Sequence, residues 1–238
     1  MNSKKVVGEA AVEFIEDGMT VGLGTGSTAY WAIMKIGERV KEGLKITAIA
    51  TSKESESLAE RQNIPLATFS QRNRLDITID GADEVDRDLN LIKGGGGALL
   101  REKIIASASD KLLILVDETK LVKRLGQSPL PVEVVPFGME STREKIKNLG
   151  CEANLRFTEK QQGFITDNGN YIIDCAFRSI HDPKLLSQNL SQIPGVVENG
   201  LFMGLTHKVL VGRNSGRVDT LQIKDKQVEK NEGMVSYH

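Results

Sequence analysis

The sequence predicts an α/β protein whose parallel-sheet domain is interrupted by a second, smaller α+β domain. In the first half, apolar segments of strand length alternate with helix-forming segments, which is typical of a parallel sheet. After the Ser-Pro-Leu-Pro segment at 128–131, the predicted order becomes βαββαβ, a split βαβ unit. An apolar segment at 209–211 then returns to the first sheet. We therefore expect a first domain comprising 1–127 and 205–238, with 128–204 inserted.

The chain begins with an amphipathic helix, followed by a strand at 20–23, a glycine turn and a helix at 29–41. Such a turn offers backbone N–H groups to a phosphate. The residue five positions after Gly22 is not glycine, and no lysine precedes the Ser-Thr pair, so neither nucleotide fingerprint fits. A small-phosphate cradle and an ordinary helix-capping turn both stay open. The candidate cradle residues are Thr25, Gly26, Ser27 and Thr28.

The next strand, 46–50, ends without an acidic residue to hold a ribose hydroxyl, which further disfavours a dinucleotide. Thr51 and Glu54 have capping-box spacing and predict the start of a helix. A short strand is expected at 66–69.

The stretch 75–103 carries the most chemistry. A strand runs to Asp80, an acidic loop contains Asp83, and Lys93 precedes four glycines and a helix over 98–108 that contains Glu102. Carboxylates, an ammonium group and open backbone amides suit proton transfer on a small anionic substrate. Taken singly, the aspartates could be turn formers and the tetraglycine a flexible linker. Their succession between a strand and a helix favours a site.

A continuous apolar run at 112–116 predicts a strand buried on both faces, and Lys120 follows it. The segments TGST, DGAD and DETK thus each follow the carboxyl end of a strand, the edge where ligands bind in open α/β sheets.

In the inserted domain we expect three strands, a hairpin and two helices. Ser141 and Glu144 predict a capping box for the first helix. The strands are expected at 132–135, 151–157 and 196–202, the helices at 141–149 and 183–190, and the hairpin at 164–166 and 171–177.

The first domain ends in a charged segment. Beyond its last predicted strand, we expect residues 224–232 to form a charged, solvated tail.

Composition limits the function classes. With 31 basic and 32 acidic residues and a net charge of −1, nucleic-acid binding has no support. No apolar run is long enough to span a bilayer, and acidic residues interrupt any signal-peptide core, so we expect a cytoplasmic protein. Cys151 and Cys175 read as two unlinked thiols, and the three histidines are too scattered for a metal site.

Four ordered motifs, TGST, DGADEVD, KGGGGALLREK and LPVEV, resemble ribose-5-phosphate isomerase of the A type. The resemblance covers the chain from the first helix to the strand near 211. It implies a Rossmann-like domain with an inserted ferredoxin-like domain, and interconversion of ribose 5-phosphate and ribulose 5-phosphate in the pentose phosphate pathway. It also implies that no metal or organic cofactor takes part, and that the protein is a homodimer or homotetramer.

Carried over residue by residue, the resemblance makes Glu102 the general base that moves a proton between neighbouring carbons. Lys93 would balance the enediolate charge, and Asp80 and Asp83 would hold hydroxyls and assist ring opening. The implied substrate-binding residues are Thr25, Gly26, Ser27, Thr28, Asp80, Gly81, Ala82, Asp83, Lys93, Gly94, Gly95, Gly96 and Lys120.

Two rival classes of protein fit parts of the same sequence. A sugar-phosphate sensor of a transcription regulator could share the fold, but the sequence leaves no room for a helix-turn-helix before the first strand. A transferase with a related sheet would use a carboxylate as a covalent nucleophile, and Glu102 alone does not exclude that role. Isotope uptake from solvent distinguishes the isomerase from both.

Overall fold

A computed structural model describes residues 2–224 and 227–231 of the chain. Contacts divide it into two compact units. Unit 1 contains the described parts of Met1–Ala82, Arg101–Leu121 and Gly204–His238, and unit 2 contains Asp83–Leu100 and Val122–Met203. Grouping by contact does not show which part folds alone, so the domain division predicted from the sequence stays a prediction.

The helices occupy segments in which apolar residues recur every three or four positions. In the second helix, for example, the buried residues include Ala29, Ala32, Ile33 and Ile36. The helices are α1 (Ser3–Ala10), α2 (Ser27–Lys41), α3 (Lys53–Arg61), α4 (Leu99–Ser107), α5 (Met139–Lys147) and α6 (Pro183–Ser191), with short 3-10 turns at Ala11–Phe14 and Glu118–Lys120.

The strands are short, with two to seven residues each among those described. They are β1 (Thr20–Leu23), β2 (Thr47–Ala50), β3 (Ile77–Gly81), β4 (Glu84–Val85), β5 (Leu91–Ile92), β6 (Leu112–Asp117), β7 (Leu130–Val134), β8 (Glu152–Leu155), β9 (Tyr171–Ala176), β10 (Val196–Asn199), β11 (Leu201–Phe202), β12 (Lys208–Gly212), β13 (Val218–Lys224) and β14 (Gln227–Asn231).

Unit 1 is built on a seven-stranded sheet, among the described residues, with the order β14-β13-β12-β6-β3-β1-β2. The five strands β12, β6, β3, β1 and β2 run parallel to one another, as predicted from the alternation of strands and helices. Every residue of β1 and β6 is buried, which explains the continuous apolar run at 112–116 within β6. The return of the chain to this sheet is confirmed, because β12 pairs with β6.

The charged tail predicted at 224–232 is wrong where the structure describes it. Gln227–Asn231 forms β14, which pairs with β13 in antiparallel register at the edge of the sheet. Charged residues are common on edge strands because they discourage pairing with another chain, so charge alone does not indicate a loop. The remainder of that prediction, at 225–226 and 232, lies outside the described residues.

Unit 2 contains a four-stranded antiparallel sheet, within the described residues, with the order β10-β7-β9-β8. With α5 after β7 and α6 after β9, this is the βαββαβ order of a ferredoxin-like fold. Glu133 on β7 is buried, and its Oε1 accepts hydrogen bonds from side chains of Thr166, Asn168 and Asn170 at 2.9, 3.1 and 2.9 Å. That carboxylate holds the turn of the predicted hairpin, although its first arm makes isolated bridges rather than a strand.

A small three-stranded sheet, again within the described part of unit 2, has the order β11-β5-β4. The single strand predicted at 196–202 is therefore wrong: the chain leaves one sheet after β10 and joins another as β11. Gly200 allows the change, because a Cβ there would lie 2.3 Å from the carbonyl oxygen of Lys93. The break falls at the Glu-Asn-Gly segment 198–200, which separates the apolar pairs Val196-Val197 and Leu201-Phe202.

Three local predictions differ from the structure. Ser52, not Thr51, caps α3 by accepting a bond from the N–H of Ser55. The predicted Ser141 cap is wrong, because α5 begins after Gly138, whose φ is 70°. At 66–69 the chain makes one bridge, between Leu66 and Ala48, rather than a strand.

Both cysteines are free thiols, as predicted. A hydrogen bond with Cys151, together with burial, raises the pKa of Cys175, and the same bond lowers the pKa of Cys151.

Candidate active site

In unit 1 the predicted site residues follow three neighbouring parallel strands. Residues 25–28 follow β1, Asp80 and Gly81 end β3, and Lys120 follows β6. Because β1, β3 and β6 are adjacent and parallel, their carboxyl ends meet at one edge of the sheet. The sheet thus brings together segments that lie far apart in the sequence.

Asp80 fixes the loop that follows β1. It is 1% exposed, and its Oδ1 accepts bonds from the N–H of Thr25 at 3.0 Å and of Gly81 at 2.8 Å. Gly24 lies against it, since a Cβ on Gly24 would be 2.2 Å from Asp80 Oδ1. The loop can approach β3 this closely only because residue 24 has no side chain.

The hydroxyl of Thr25 is committed to the protein. Its Oγ1 lies 2.7 Å from Thr51 Oγ1, 2.8 Å from Ser52 Oγ and 3.3 Å from Ser55 Oγ, and Ser55 Oγ donates to the carbonyl of Gly24 at 2.6 Å. This network binds the turn to the start of α3. It gives the Thr51-Ser52 pair after β2 a role in shaping the turn.

The N-terminus of α2 follows this turn. Its N-cap is Gly26, with φ 101° and no side-chain capping bond, so Ser27 and Thr28 do not cap the helix. Gly26 and Ser27 are exposed, whereas Thr28 is 9% exposed. Lys4 Nζ donates to Ser27 Oγ at 3.0 Å, which places a cation beside the first turn. Lys4 was missed in the sequence, where no spacing links it to the turn.

Glu102 lies in the first turn of α4 and is 4% exposed. The chain just after α4 bonds to Leu75 at the amino end of β3, through the N–H of Asp110 and the carbonyl of Ala108, while Ile105 packs on Gly22 of β1. In the direction of the chain, the helix therefore runs from the carboxyl edge of the sheet towards its amino end. Glu102 precedes Ile105 by three residues, about 4.5 Å along the helix, and so lies nearer than Ile105 to the carboxyl edge, where Asp80 lies.

Lys120 ends a 3-10 turn that is held by Asp117, whose carboxylate accepts bonds from the N–H and the hydroxyl of Thr119. Glu118 in the same turn pairs with Arg213 at 2.9 Å. The hydrogen bond to Glu118 raises the pKa of Arg213. Asp117 and Glu118 in DETK are thus engaged in structural contacts, while Lys120 is half-buried at the edge of the sheet.

In unit 2, Asp83 bonds to the tetraglycine loop. Its Oδ2 accepts the N–H of Gly95 at 2.8 Å, and the N–H of Gly97 donates to the carbonyl of Gly94 at 2.9 Å. The sequence predicts that the backbone N–H groups of this loop are open to a ligand. That prediction is wrong for Gly95 and Gly97, because their N–H groups bond within the protein. Gly96 is exposed, and neither bond uses its N–H.

Lys93 begins this loop and is 2% exposed. Its backbone N–H donates to the carbonyl of Gly200 at 2.9 Å, and its Nζ lies 5.6 Å from the centre of the Phe202 ring. An aromatic face attracts an ammonium group and helps to offset the cost of burying it. The Phe202 ring therefore lies beside the buried end of the Lys93 side chain.

Two other acidic residues of DGADEVD serve the structure. Glu84 is buried and accepts the N–H groups of Gly126, at 2.8 Å, and Ser128. Asp86 closes the turn between β4 and β5 by accepting bonds from Asp88 and Asn90, and burial raises its pKa. The alternative that these aspartates only form turns therefore holds for Asp86.

The family model for ribose 5-phosphate isomerase A (phosphoriboisomerase A) matches residues 47–216. The chain belongs to this family. A ribose-5-phosphate isomerase A from Bacillus mycoides is 53% identical over 217 residues, covering 91% of this chain and 98% of that protein. The corresponding protein of Listeria monocytogenes is 46% identical over 222 residues, covering 93% and 99%.

Solved members of the family have the same fold. A ribose 5-phosphate isomerase from Plasmodium falciparum superposes with a TM-score of 0.90 at 40% identity, covering 93% of this chain and 98% of that one. A D-ribose-5-phosphate isomerase in complex with phospho-erythronic acid gives 0.88 at 41% identity, covering 98% and 100%. The predicted Rossmann-like and ferredoxin-like architecture of the isomerase A family is thereby confirmed.

No group of three or more histidine, cysteine, aspartate or glutamate side chains in the described part of the chain is arranged to hold a metal ion. Of the helices described, none combines the length and the apolar character needed to cross a membrane. That the reaction needs no cofactor stays a prediction of the family resemblance.

Proposed function

We propose that this member of the family interconverts D-ribose 5-phosphate and D-ribulose 5-phosphate through an enediolate, within the non-oxidative branch of the pentose phosphate pathway. The observation that carries the proposal is the placement of Glu102. Glu102 is a buried carboxylate in the first turn of α4, at the end of that helix away from the amino end of β3. A single carboxylate there is suited to take a proton from one carbon and return it to the next.

In the proposed mechanism, the linear aldose loses its C2 proton to Glu102. The C–H electrons form the C1–C2 double bond, and the carbonyl electrons move to O1, giving an enediolate. A proton passes from O2 to O1, the C2–O2 carbonyl forms, and Glu102 returns its proton to C1. Atoms and charge balance without an oxidant, and the carboxylate is regenerated.

Lys93 is proposed to balance the negative charge that develops on the sugar oxygens, since a positive charge stabilises an enediolate more than a neutral carbonyl. Asp80 and Asp83 are proposed to hold hydroxyls and to move the proton that opens the furanose ring. The bonds to Thr25 and Gly95 give both carboxylates fixed orientations, which supports these roles.

The phosphate is proposed to bind at the N-terminus of α2. The absence of a side-chain cap at Gly26 supports this subsite, because first-turn N–H groups then face outwards and the helix dipole favours an anion. Ser27 and Thr28 add hydroxyls, Lys4 adds a positive charge, and Lys120 is a further candidate from the same edge.

The test is Glu102→Gln assayed with ribose 5-phosphate in deuterated water. We expect turnover to fall by about 10² to 10⁴, the usual contribution of a positioned acid–base group, with folding nearly unchanged. Ketose formed by the unaltered protein should contain deuterium derived from solvent. Glu54→Gln, in the exposed first turn of α3, is the matched control and should leave turnover intact.

Three results would contradict the proposal. Turnover of Glu102→Gln within about threefold of the unaltered protein would remove Glu102 from the mechanism. Binding of ribose 5-phosphate without formation of ketose would instead favour a sensor. Trapping of a covalent acyl adduct on Glu102 with a thioester would indicate a transferase.

A homodimer or homotetramer and a cytoplasmic location also belong to the proposal. Most soluble oligomers are homo-oligomers with closed symmetry. Light scattering of the purified protein and fractionation of cells that express it test these two points, and a stable monomer would contradict the first.

A further inference from the structure

We propose that Arg156 is a positioning residue for the isomerase reaction, acting through the tetraglycine loop. In this role its guanidinium fixes the carbonyls of Gly94 and Gly95, and thereby the direction of the Gly95 N–H and the start of the loop at Lys93. The inference rests on the proposed function, because it concerns the loop that we assign to the substrate site.

Arg156 directly follows β8 and has a fixed backbone. Its N–H donates to the carbonyl of Ile172 at 2.8 Å, and its carbonyl accepts the N–H of Phe164 at 2.9 Å. Both bonds tie residue 156 to neighbouring segments of unit 2. Its side chain therefore starts from a defined point of the four-stranded sheet.

The guanidinium has two sets of partners. Nε and Nη2 donate to the two carboxylate oxygens of Asp174 on β9, at 2.8 Å for the Nε bond. Nη1 donates to the carbonyls of Gly94 and Gly95, at 2.9 Å each. The planar fork of arginine supplies these donors together, whereas a lysine ammonium is a single point of charge. The ion pair orients the fork, and the fork holds the loop.

Phe164 supports the same loop from a second direction. A Cβ on Gly97 would lie 2.4 Å from Phe164 Cε1 and Cζ, so the ring lies directly against that glycine. The ring centre is 5.7 Å from Arg156 Cζ, within the range of a cation–π contact. Arg156 and Phe164 together restrain both ends of the four-glycine turn.

Such restraint is needed because glycine has the greatest backbone freedom of any residue, and a glycine-rich segment otherwise behaves as a flexible coil. The loop itself has only backbone groups with which to hold a conformation. Asp83 accepts its bond from Gly95 N–H only if the peptide plane between Gly94 and Gly95 is correctly turned. The carbonyl of Gly94 belongs to that same plane, and Arg156 holds it.

The test compares Arg156→Lys with Arg178→Lys, a control that alters an exposed arginine of the same unit whose pair with Glu152 is 3.6 Å long. For Arg156→Lys we expect kcat to fall by roughly 10- to 100-fold, because a displacement of about 1 Å costs rates of this size. We expect KM to change by less than about threefold and the loop amides at 93–98 to exchange at least about tenfold faster. The control should match the unaltered protein in all three.

A double-mutant comparison separates positioning from simple stability. If Arg156 acts through the Gly95–Asp83 bond, Arg156→Lys should lower kcat much less in an Asp83→Asn background than alone. Fully multiplicative losses would overturn the proposal, as would a lower melting temperature with unchanged kcat and unchanged loop exchange.

Failure of the proposed function gives a different result. If the unaltered protein does not isomerise ribose 5-phosphate, that proposal fails, while hydrogen exchange still reports whether Arg156 restrains the loop. If the unaltered protein is active but the amides at 93–98 exchange at the same rate in it and in Arg156→Lys, only the inference about Arg156 is overturned.

Discussion

Replacing Gly24 with alanine should damage the candidate site through Asp80. The added Cβ would lie 2.2 Å from Asp80 Oδ1 and 2.5 Å from Asp80 Cα, whereas ordinary contacts begin at 3.4 Å. Rotation of the Asp80 side chain relieves only the first clash. The backbone must separate by the remaining difference, about 0.9 Å, which strains the bond from Thr25 N–H to Asp80.

The expected size follows from these two effects. Overpacking of this kind costs about 1–3 kcal/mol, and loss of a hydrogen bond to a carboxylate about 1.5–3 kcal/mol. The melting temperature should fall by roughly 2–4 °C for each kcal/mol. A shift near 1 Å at Asp80 should also lower kcat/KM for ribose 5-phosphate by about 100-fold.

Thermal unfolding and a ketose-formation assay measure the two effects. Gly163→Ala is the matched control, because its Cβ would meet Tyr171 at 3.8 Å and Leu155 at 3.9 Å without a positive φ. It should change stability by less than about 1 kcal/mol. A Gly24→Ala protein with kcat/KM within threefold of normal would refute the argument that close packing of Gly24 orients Asp80.

Three further predictions concern other parts of the molecule. Replacing Ser27 and Thr28 together with alanine should raise KM at least about tenfold with little loss of thermal stability; unchanged affinity and a lower melting temperature would favour a structural role. Lys93→Ala should lower kcat strongly while binding of an unreactive phosphorylated sugar acid changes less, because its charge is needed most in the transition state; a pure affinity defect would assign it to the phosphate. Glu133→Ala should lower the free energy of unfolding by about 3 kcal/mol or more in chemical denaturation, because three side-chain donors of the 166–170 turn lose a buried acceptor; a loss below about 1 kcal/mol would contradict this.

Much of the fold could be predicted because its strands follow simple rules. The run 112–116 is apolar throughout, and every residue of β6 is buried. Polar residues directly after such strands can lie only at the carboxyl edge of a parallel sheet. For the same reason, the sequence was sufficient to group Asp80 and Lys120 with the turn after β1.

Element boundaries were less predictable, because several patterns compete for the same residues. Ser141 and Glu144 match a capping box, yet α5 begins earlier, directly after Gly138, whose positive φ leaves no signature beyond the glycine itself. Thr51 and Ser52 both have hydroxyls suited to a cap, and the one not used joins the network around Thr25. The choice in each case depends on tertiary contacts, which local spacing does not contain.

The tetraglycine loop shows why a motif can reveal a site without revealing what makes it work. Lys93 and its glycines mark a backbone that can approach a ligand closely, and that feature is visible in the sequence. Because glycines have no side chains, the rigidity of such a loop must come from elsewhere in the chain. Arg156 comes 62 positions after Gly94, in a different element, and follows no motif. The residues that orient a glycine-rich site are therefore found only when its carbonyl partners are traced in three dimensions.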